Sequence, residues 1–249
     1  AQTLIDAGVV GIAGAACSGA SLGAMPVAKA AGVPMISYSS TNPALTTADD
    51  DGYMFRVVPS DAQQGQALAS TYNASGYERP ALLSMTEDYG AGFAAAFRDN
   101  YNGDLCADAT FSDDTTEFTN MVYDYVTSNG CDSVVMITYD YNGAAIVEEL
   151  AAQGFEGAIF GGDGIADITF ANEFSDASSL DGLTVTKPAY ATDSALGTMF
   201  DMFYDEAAEA AGYEDGIYTR EVFDAVTIIG FAQATAYITP AHDDVIDML

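Results

Sequence analysis

The chain has 249 residues, and 37 Asp and Glu against 6 Lys and Arg give it a formal net charge of −31. Because the six Lys and Arg residues are scattered, the chain lacks the clustered positive charge with which proteins bind nucleic acids or anionic membrane surfaces. No apolar run approaches the roughly 20 residues that span a bilayer. With 49% apolar residues the chain can bury a substantial core, which indicates a folded globular protein of one large or two small domains.

Short β-rich runs alternate with longer helical stretches along almost the whole chain. Most of the short runs are continuously apolar, which is typical of strands covered on both faces. This alternation predicts an α/β fold of doubly wound, mostly parallel sheets. In chain order the predicted elements are a strand at 9–16, a helix at 21–31, strands at 34–38 and 53–58, a helix at 61–74, a strand at 80–85, helices at 91–100 and 116–128, a strand at 133–138, a helix at 142–153, strands at 158–161 and 183–186, and helices at about 195–212 and 219–239.

The predicted helices carry recognisable end signals. Ser60 and Gln63 form a capping-box pattern at the start of the helix 61–74. Four helices run into a glycine, the residue that most readily adopts the left-handed conformation at a helix end, and a strand follows within a few residues. These glycines are Gly32, Gly76, Gly130 and Gly154.

The chain divides into two predicted lobes. Pro59 and Pro188 break the pattern, and we expect the chain to cross between the lobes at these two points. Residues 1–58 with 188–249 then form an N-terminal lobe, and residues 59–187 form a C-terminal lobe. Ala1 begins directly in a helix-like pattern, without a signal peptide, so we expect a mature chain or a piece of one. The evenly spread acidity fits either a surface suited to salty surroundings or an ordinary acidic secreted protein.

Hydroxyl side chains follow the first two predicted strands. In open α/β sheets, ligands bind beyond the carboxyl ends of the strands. Ser18 follows the first strand at the start of a helix, where unpaired N–H groups and the positive helix end favour an anion. Ser39, Ser40 and Thr41 follow the second strand and add further donors. These residues predict an anion-binding site on the N-terminal lobe.

A carboxylate and two phenols follow strands of the C-terminal lobe. Asp163 lies between glycines, which we expect to let a ligand approach closely. Tyr89 and Tyr139 have rings that can cover an ammonium group. An anion site and a cation site together match a zwitterion such as a free α-amino acid. Such residues also cap helices and form turns, so only the whole set points to a ligand.

Neither metal nor catalytic chemistry is expected. Cys106 and Cys131 fit either a disulfide or two buried thiols, and Cys17 is left without a partner in this chain. One histidine, His242, and no Cys-x-x-Cys pattern make a zinc site unexpected, and no cofactor is expected. A nucleophile at Cys17 would need a base, and the P-loop, dinucleotide-binding and nucleophile-elbow motifs are absent from the sequence.

Four stretches of the sequence resemble the type I periplasmic substrate-binding proteins. Their order is most similar to the leucine/isoleucine/valine-binding receptors of branched-chain amino-acid ABC transporters. The resemblance runs from Ala1 to about Tyr237. The stretches are GVVGIAGAACSGASLGAMPVAKAAGVPMISYSSTNPALT, FRVVPSDAQQG, EDYGAGFAAAF and FGGDGIAD.

The resemblance implies a role for most of the candidate residues. Ser18, Ser39 and Thr41 match positions that bind the ligand's α-carboxylate, with Ser40 in the same turn. Tyr89 matches a tyrosine that lies over the ligand, and Asp163 matches an acidic residue that pairs with the ammonium. The remaining matches are Tyr139, after the following strand, and Tyr218, the nearest match to an aromatic residue that lines the pocket.

The chain departs from the leucine-type pattern in several places. Those receptors carry Glu at the position of Asp163, and often alanines where this chain has Ser39 and Ser40, so the expected pocket is more polar. Arg220 could meet a second carboxylate of a ligand or form a surface salt bridge. The family also begins with a βαβ unit that this chain lacks, so the N-terminal lobe is expected to be incomplete.

The resemblance implies an extracytoplasmic, periplasmic receptor of an ABC importer. We expect it to bind a small zwitterion, an amino acid of the branched-chain type, by closure of two lobes, to act as a monomer and to deliver the ligand to a membrane permease. Neither an enzyme nor a partner of nucleic acid is expected. The alternatives are a sensor or receptor for amides, urea or small aromatic acids on the same fold and, more remotely, an enzyme.

Overall fold

A computed structural model of the chain describes residues 1–189, 194–213 and 216–238. Its strands, in chain order, are β1 (Ile12–Ala13), β2 (Met35–Ser37), β3 (Met54–Arg56), β4 (Pro80–Met85), β5 (Ala107–Phe111), β6 (Ser133–Ile137), β7 (Ala158–Gly161) and β8 (Thr184–Val185). Its α-helices are α1 (Gln2–Asp6), α2 (Ser18–Ala31), α3 (Ala44–Thr47), α4 (Asp61–Ser75), α5 (Asp88–Asn100), α6 (Thr119–Val122), α7 (Asp140–Ala152), α8 (Ile168–Asn172), α9 (Ala195–Ala211) and α10 (Thr219–Ile238).

Strands form at all seven predicted positions, and the prediction missed one strand. The missed strand is β5, whose residues alternate between exposed and buried at its carboxyl end. Because β5 lies at an edge of its sheet, it lacks the continuous apolar run that marks a strand covered on both faces. The predicted helix 116–128 forms as α6 followed by a π-helical turn, Tyr123–Thr127.

The helix-end signals act largely as predicted. The Ser60 hydroxyl caps α4 by accepting a hydrogen bond from the Ala62 N–H at 3.2 Å. In a capping box this hydroxyl would instead accept from the N–H of Gln63, which here donates to the Ser60 carbonyl oxygen. Gly32 and Gly76 end α2 and α4 with φ of 68° and 86°, a conformation that side-chain-bearing residues adopt only with strain. These glycines therefore turn each chain segment from its helix toward the next strand.

The chain forms two compact units. The first contains Ala1–Ser40, Thr47–Val58 and the described part of Pro188–Leu249. The second contains Thr41–Thr46 and Pro59–Lys187. The short segment 41–46 therefore groups with the second unit, which differs from the predicted N-terminal lobe of residues 1–58.

Hydrogen bonds explain why this segment packs with the second unit. The Asn42 amide donates to the carbonyl oxygen of Asp88 at the start of α5. The Asp61 N–H, at the start of α4, donates to the carbonyl oxygen of Thr41 at 2.8 Å. The two residues that bind this segment, Asp61 and Asp88, lie after Pro59 in the sequence. The positions of the prolines alone do not predict these hydrogen bonds.

The first unit has a parallel sheet of three strands in the order β1-β2-β3. Met35 on the central strand pairs with Ile12 of β1 and Met54 of β3. All three side chains are buried, as expected for strands whose faces are covered. Helix α10 lies against β1, where Ile229 occupies the space that a side chain at Gly11 would need.

The second unit has a parallel sheet of five strands in the order β5-β4-β6-β7-β8. Alternate residues enter two separate hydrophobic clusters. Leu83 and Met136 belong to one, and Leu82 and Val135 belong to the other, and all four are fully buried. This two-sided burial is the physical reason for the continuous apolar runs in the sequence. A disulfide joins Cys106 to Cys131, which resolves the two alternatives left by the sequence, while Cys17 is a free, exposed thiol.

We expect Gly65→Ala to destabilise the second unit, because α4 and α5 approach closely there. A Cβ atom at Gly65 would lie 2.6 Å from Ala96 Cβ and 2.9 Å from the Phe97 nitrogen. Overpacking of this kind costs about 1–3 kcal/mol of unfolding free energy. Gly23→Ala in α2 is the matched control, because a Cβ atom at Gly23 meets nothing within 4 Å. Since alanine favours the helix more than glycine does, this variant should raise the unfolding free energy by about 0.5–1 kcal/mol. Urea titration of both variants measures the difference, and equal stabilities would contradict close packing at Gly65.

Asp140, in the first turn of α7, is predicted to make stability depend on pH. Burial raises the pKa of its carboxyl, assisted by repulsion from Asp167 and Glu173, although the Thr169 hydroxyl donates to it at 2.6 Å. A raised folded-state pKa stabilises the fold at low pH, and this stabilisation is lost as the pH rises through that pKa. Asp140→Asn should therefore raise the unfolding free energy at pH 7 by about 1 kcal/mol or less, with the gain vanishing near pH 3.

Any loss of negative charge relieves repulsion in so acidic a chain, so this prediction needs a control. Asp114→Asn removes an exposed carboxylate from the same unit. Denaturant titrations at several pH values compare the two variants. A gain that is equal for both would show that net charge, and not burial of Asp140, is responsible.

Candidate ligand-binding site

The first unit brings Ser18, Ser39 and Ser40 to one edge of its sheet. Ser18 is the first residue of α2 and is only 2% exposed. Ser39 and Ser40 follow β2, the strand next to β1. Since parallel neighbours end at the same edge, their following loops lie side by side. The helix start at Ser18 adds N–H groups that have no partner within the helix.

Hydroxyl groups hold the loop between β1 and α2 in place. Ser40 Oγ lies 2.8 Å from Ser21 Oγ and 3.1 Å from the carbonyl oxygens of Ala15 and Ala16. Ser39 Oγ donates to the Ala16 carbonyl at 2.8 Å. Ser40 is fully buried, so its contacts indicate a structural role in this loop. Contact with a ligand stays a prediction for both serines.

The other two residues predicted on the N-terminal side are placed differently. Thr41 is fully buried and belongs to the second unit, although the sequence had assigned it to the same lobe as Ser39. Tyr218 belongs to the first unit and immediately precedes α10, with its side chain partly buried. His242, the one histidine, lies outside the described residues.

The second unit brings Tyr89, Tyr139 and Asp163 together. They follow β4, β6 and β7, which are neighbours in the sheet. Numbered from β4, the strand order is 2-1-3-4-5, and the direction of winding reverses between β4 and β6. Tyr89 and Tyr139 therefore lie at the topological switch point, where ligands of open α/β sheets bind.

The Asp163 carboxylate is buried and fixed by a tyrosine. The Tyr89 hydroxyl donates to Asp163 Oδ1 at 3.0 Å and accepts a hydrogen bond from the Gly164 N–H, also at 3.0 Å. Tyr89 is 3% exposed and Asp163 is 5% exposed. The rings of Tyr89 and Tyr139 stack, with centroids 5.1 Å apart. Tyr89 thus holds the carboxylate, while the partly exposed Tyr139 is the more accessible of the two rings.

Gln64 is a member of this site that sequence reasoning missed. Its Nε2 donates to Asp163 Oδ1 at 2.9 Å and to the carbonyl oxygen of Thr186 at 2.8 Å. Gln64 is 6% exposed, whereas its neighbour Gln63 is exposed. The available signal was helical periodicity, since Gln64 falls on the buried stripe of α4 with Leu68. A glutamine among apolar core positions indicates a side chain with specific partners.

The glycines around Asp163 serve the packing of the protein itself. A Cβ at Gly162 would lie 2.3 Å from Phe93 Cε1, and one at Gly164 would lie 2.3 Å from the Thr138 carbonyl oxygen. Both would also approach the Tyr89 hydroxyl at 3.0 Å. The absence of side chains at these two positions thus makes room for Phe93, Thr138 and Tyr89. That it also lets a ligand approach Asp163 stays a prediction.

Arg220 is engaged in an ion pair. Its guanidinium contacts the Asp201 carboxylate of α9 and lies over the Phe200 ring, 5.5 Å from the centroid. Of the two alternatives for Arg220, this favours the salt bridge over a role toward a second ligand carboxylate.

The groups gathered here are a buried carboxylate, an amide and two phenol rings. A buried carboxylate with neutral donors and adjacent aromatic rings favours an ammonium group. Within the described ranges, no three His, Cys, Asp or Glu residues are placed to hold a metal ion. In the same ranges, no helix combines the length and the hydropathy needed to cross a bilayer.

Comparison with known proteins gives a family and several structural relatives. The family model described as receptor family ligand binding region matches residues 1–238. The metabotropic glutamate receptor-like protein E of Dictyostelium discoideum is 38% identical over 91 residues, a match that covers 36% of this chain and 11% of that protein. The chain thus spans about a tenth of the length of the curated relatives it matches.

Three solved structures share the fold. The leucine binding protein LivK of Thermotoga maritima has a TM-score of 0.84 at 24% identity, covering 99% of this chain and 70% of that one. LivJ of Streptococcus pneumoniae, in complex with isoleucine, has a TM-score of 0.77 at 25% identity, with 93% and 66% covered. A solute binding protein of Rhodopseudomonas palustris BisB5, in complex with 3,4-dihydroxy benzoic acid, has a TM-score of 0.74 at 20% identity, with 93% and 63% covered.

These relatives are receptors and binding proteins, and none of those described above is an enzyme. The TM-scores of 0.84, 0.77 and 0.74 show that the three solved structures share the fold of this chain. The chain therefore belongs to the receptor ligand-binding-region family and has the type I periplasmic-binding-protein fold.

Proposed function

We propose that the protein is an extracytoplasmic receptor that binds a small amino-acid zwitterion, most simply one of the branched-chain type. The observation that carries this proposal is the buried Asp163 carboxylate, held by Tyr89 and Gln64 beside the Tyr139 ring. A buried carboxylate is costly unless a cation or several donors compensate it. An ammonium group supplies a full positive charge together with three N–H donors.

The anionic end of the ligand is assigned to the first unit. Ser18 stands at the start of α2, a helix of 14 residues whose first N–H groups have no intrahelical acceptor. Ser39 of the same unit adds a proposed carboxylate contact, and Tyr218 is proposed to line the side-chain region. Thr41 is proposed as a further carboxylate contact, although it groups with the second unit. A zwitterion would then engage residues of both units, so that lobe closure follows from contacts made only when both ends are bound.

Delivery to a membrane permease of an ABC importer is the proposed role. The support is the relatedness in fold to LivK and LivJ, the second of which was solved with isoleucine. We propose that the protein acts as a monomer outside the cytoplasm. Sensing is the alternative role, favoured by the partial match to a metabotropic glutamate receptor-like protein.

A second ligand class has one observation in its favour. A binding protein with a TM-score of 0.74 holds 3,4-dihydroxy benzoic acid. An aromatic acid would meet the Tyr139 ring well but offers no cation to Asp163. Amides and urea supply N–H donors without charge, so they would use Asp163 only in part.

Asp163→Asn is the variant that tests the assignment. The change keeps the shape of the side chain but removes the charge that pairs with an ammonium. We expect L-leucine binding, measured by isothermal titration calorimetry, to weaken by about 2–5 kcal/mol if the pair is desolvated. Asp114→Asn removes one exposed charge and should leave the affinity unchanged. Equal affinity of Asp163→Asn and wild type for leucine would remove Asp163 from the binding site.

A further inference from the structure

Gln64 occupies an unusual position for an amide side chain. It lies in the first turns of α4 on the stripe that faces the core, between the buried residues Asp61 and Leu68. Its side chain is nine-tenths buried, so it contributes little to solvation of the surface. Burying an amide without partners costs free energy, and an aliphatic residue would fill the same space without that cost. The position therefore needs an explanation from its contacts.

The contacts of Nε2 fix the orientation of the amide, whose buried Oε1 accepts no hydrogen bond within the described residues. A glutamine amide has two N–H groups, and Nε2 has two strong acceptors, Asp163 Oδ1 at 2.9 Å and the Thr186 carbonyl oxygen at 2.8 Å. The reversed amide would set its own oxygen against a carboxylate and a carbonyl. The hydrogen-bond network thus assigns nitrogen, and not oxygen, to the side facing Asp163.

Thr186 anchors the amide to the main chain. This residue directly follows β8, and the second unit ends at Lys187. A bond to a main-chain oxygen at the end of a strand leaves the amide little freedom to rotate. Asp163 Oδ1 therefore receives one fixed donor from α4 and a second from Tyr89 on α5. Two donors from two different helices define the orientation of the carboxylate.

We propose that Gln64 is a positioning residue that aligns the Asp163 carboxylate for the ligand's ammonium group. This inference rests on the proposed function, since it assumes that Asp163 meets a cation. The two donors on Oδ1 come from different helices and restrict the rotation of the carboxylate, as alignment toward a cation requires. A lysine or arginine at this position would pair with Asp163 internally, and a glutamate would repel it. Gln64 thus orients Asp163 without adding a charge of its own to the site.

A double-mutant cycle on the full chain tests this proposal. Gln64→Met has a similar length and no donor, and Asp163→Asn removes the charge on which Gln64 acts. With L-leucine as the probe, Gln64→Met should weaken binding about tenfold or more in the wild-type background, because a hydrogen bond to a charged group is lost. In the Asp163→Asn background the same change should weaken binding by less than about twofold, because coupled positions are not additive.

Gln63→Met is the matched control, since Gln63 is the exposed neighbour on the same helix. It should leave leucine binding unchanged in both backgrounds. The four proteins of the cycle are the wild type, Gln64→Met, Asp163→Asn and the double variant. Their binding of 4-methyl-2-oxopentanoate, which has the leucine skeleton but no ammonium group, is also measured. Where the oxo acid binds weakly, its affinity is measured by its competition, at high concentration, with bound L-leucine. A positioning role predicts that Gln64→Met lowers the leucine affinity relative to the oxo acid, whereas general damage to the fold would lower both equally.

Each outcome has a distinct meaning. Equal losses from Gln64→Met in both Asp163 backgrounds, or an unchanged ratio of leucine to oxo-acid affinity, would overturn the positioning role. Unchanged leucine binding by Asp163→Asn would instead overturn the proposed function itself. Urea titrations of the same variants without ligand supply a second cycle, should binding become too weak. Additive losses of unfolding free energy in that cycle would also contradict a direct Gln64–Asp163 contact.

Discussion

Burying a carboxylate is unfavourable unless the surrounding protein or a ligand compensates its charge, and Asp163 in the second unit is such a buried carboxylate. Asp163 is 5% exposed, and its Oδ1 accepts hydrogen bonds from Gln64 and Tyr89. Both donors are neutral groups, and together they orient the carboxylate. The packing of Tyr89 in turn depends on glycines at positions 162 and 164. The proposed function follows from this buried negative charge.

The topology of the sheet explains how distant parts of the chain reach this carboxylate. Residues 64, 89, 139 and 163 belong to four separate segments. Strands β4, β6 and β7 are neighbours, so the residues that follow them lie at one edge. Helix α4 supplies Gln64 from the buried stripe on its surface. In the first unit, the hydroxyl groups of Ser39 and Ser40 donate hydrogen bonds to the loop before Ser18, and these bonds help to position the start of α2.

The sequence predicted the α/β class and the strands because parallel strands covered on both faces leave continuous apolar runs. It missed β5, an edge strand with an alternating pattern, for the same reason. Strand ends located Tyr89, Tyr139 and Asp163, because the carboxyl ends of parallel strands share one edge. Gln64 was missed because it comes from a helix, and its partner Thr186 lies 122 residues away. Ser40 looked like an open donor because its neighbours in space, Ala15 and Ser21, are set by packing and not by spacing.

A thermal-shift comparison shows whether the ligand must carry an ammonium group. The full-length protein is heated in about 0.5 M salt, which screens its large net charge, with L-leucine, 4-methyl-2-oxopentanoate or 3,4-dihydroxy benzoic acid. A ligand at 100 times its dissociation constant adds about 2.7 kcal/mol of stability, a clearly visible rise in the midpoint. We expect the amino acid to raise the midpoint and the two acids without an ammonium group to leave it unchanged. A rise with either acid and none with leucine would show that binding does not depend on an ammonium group.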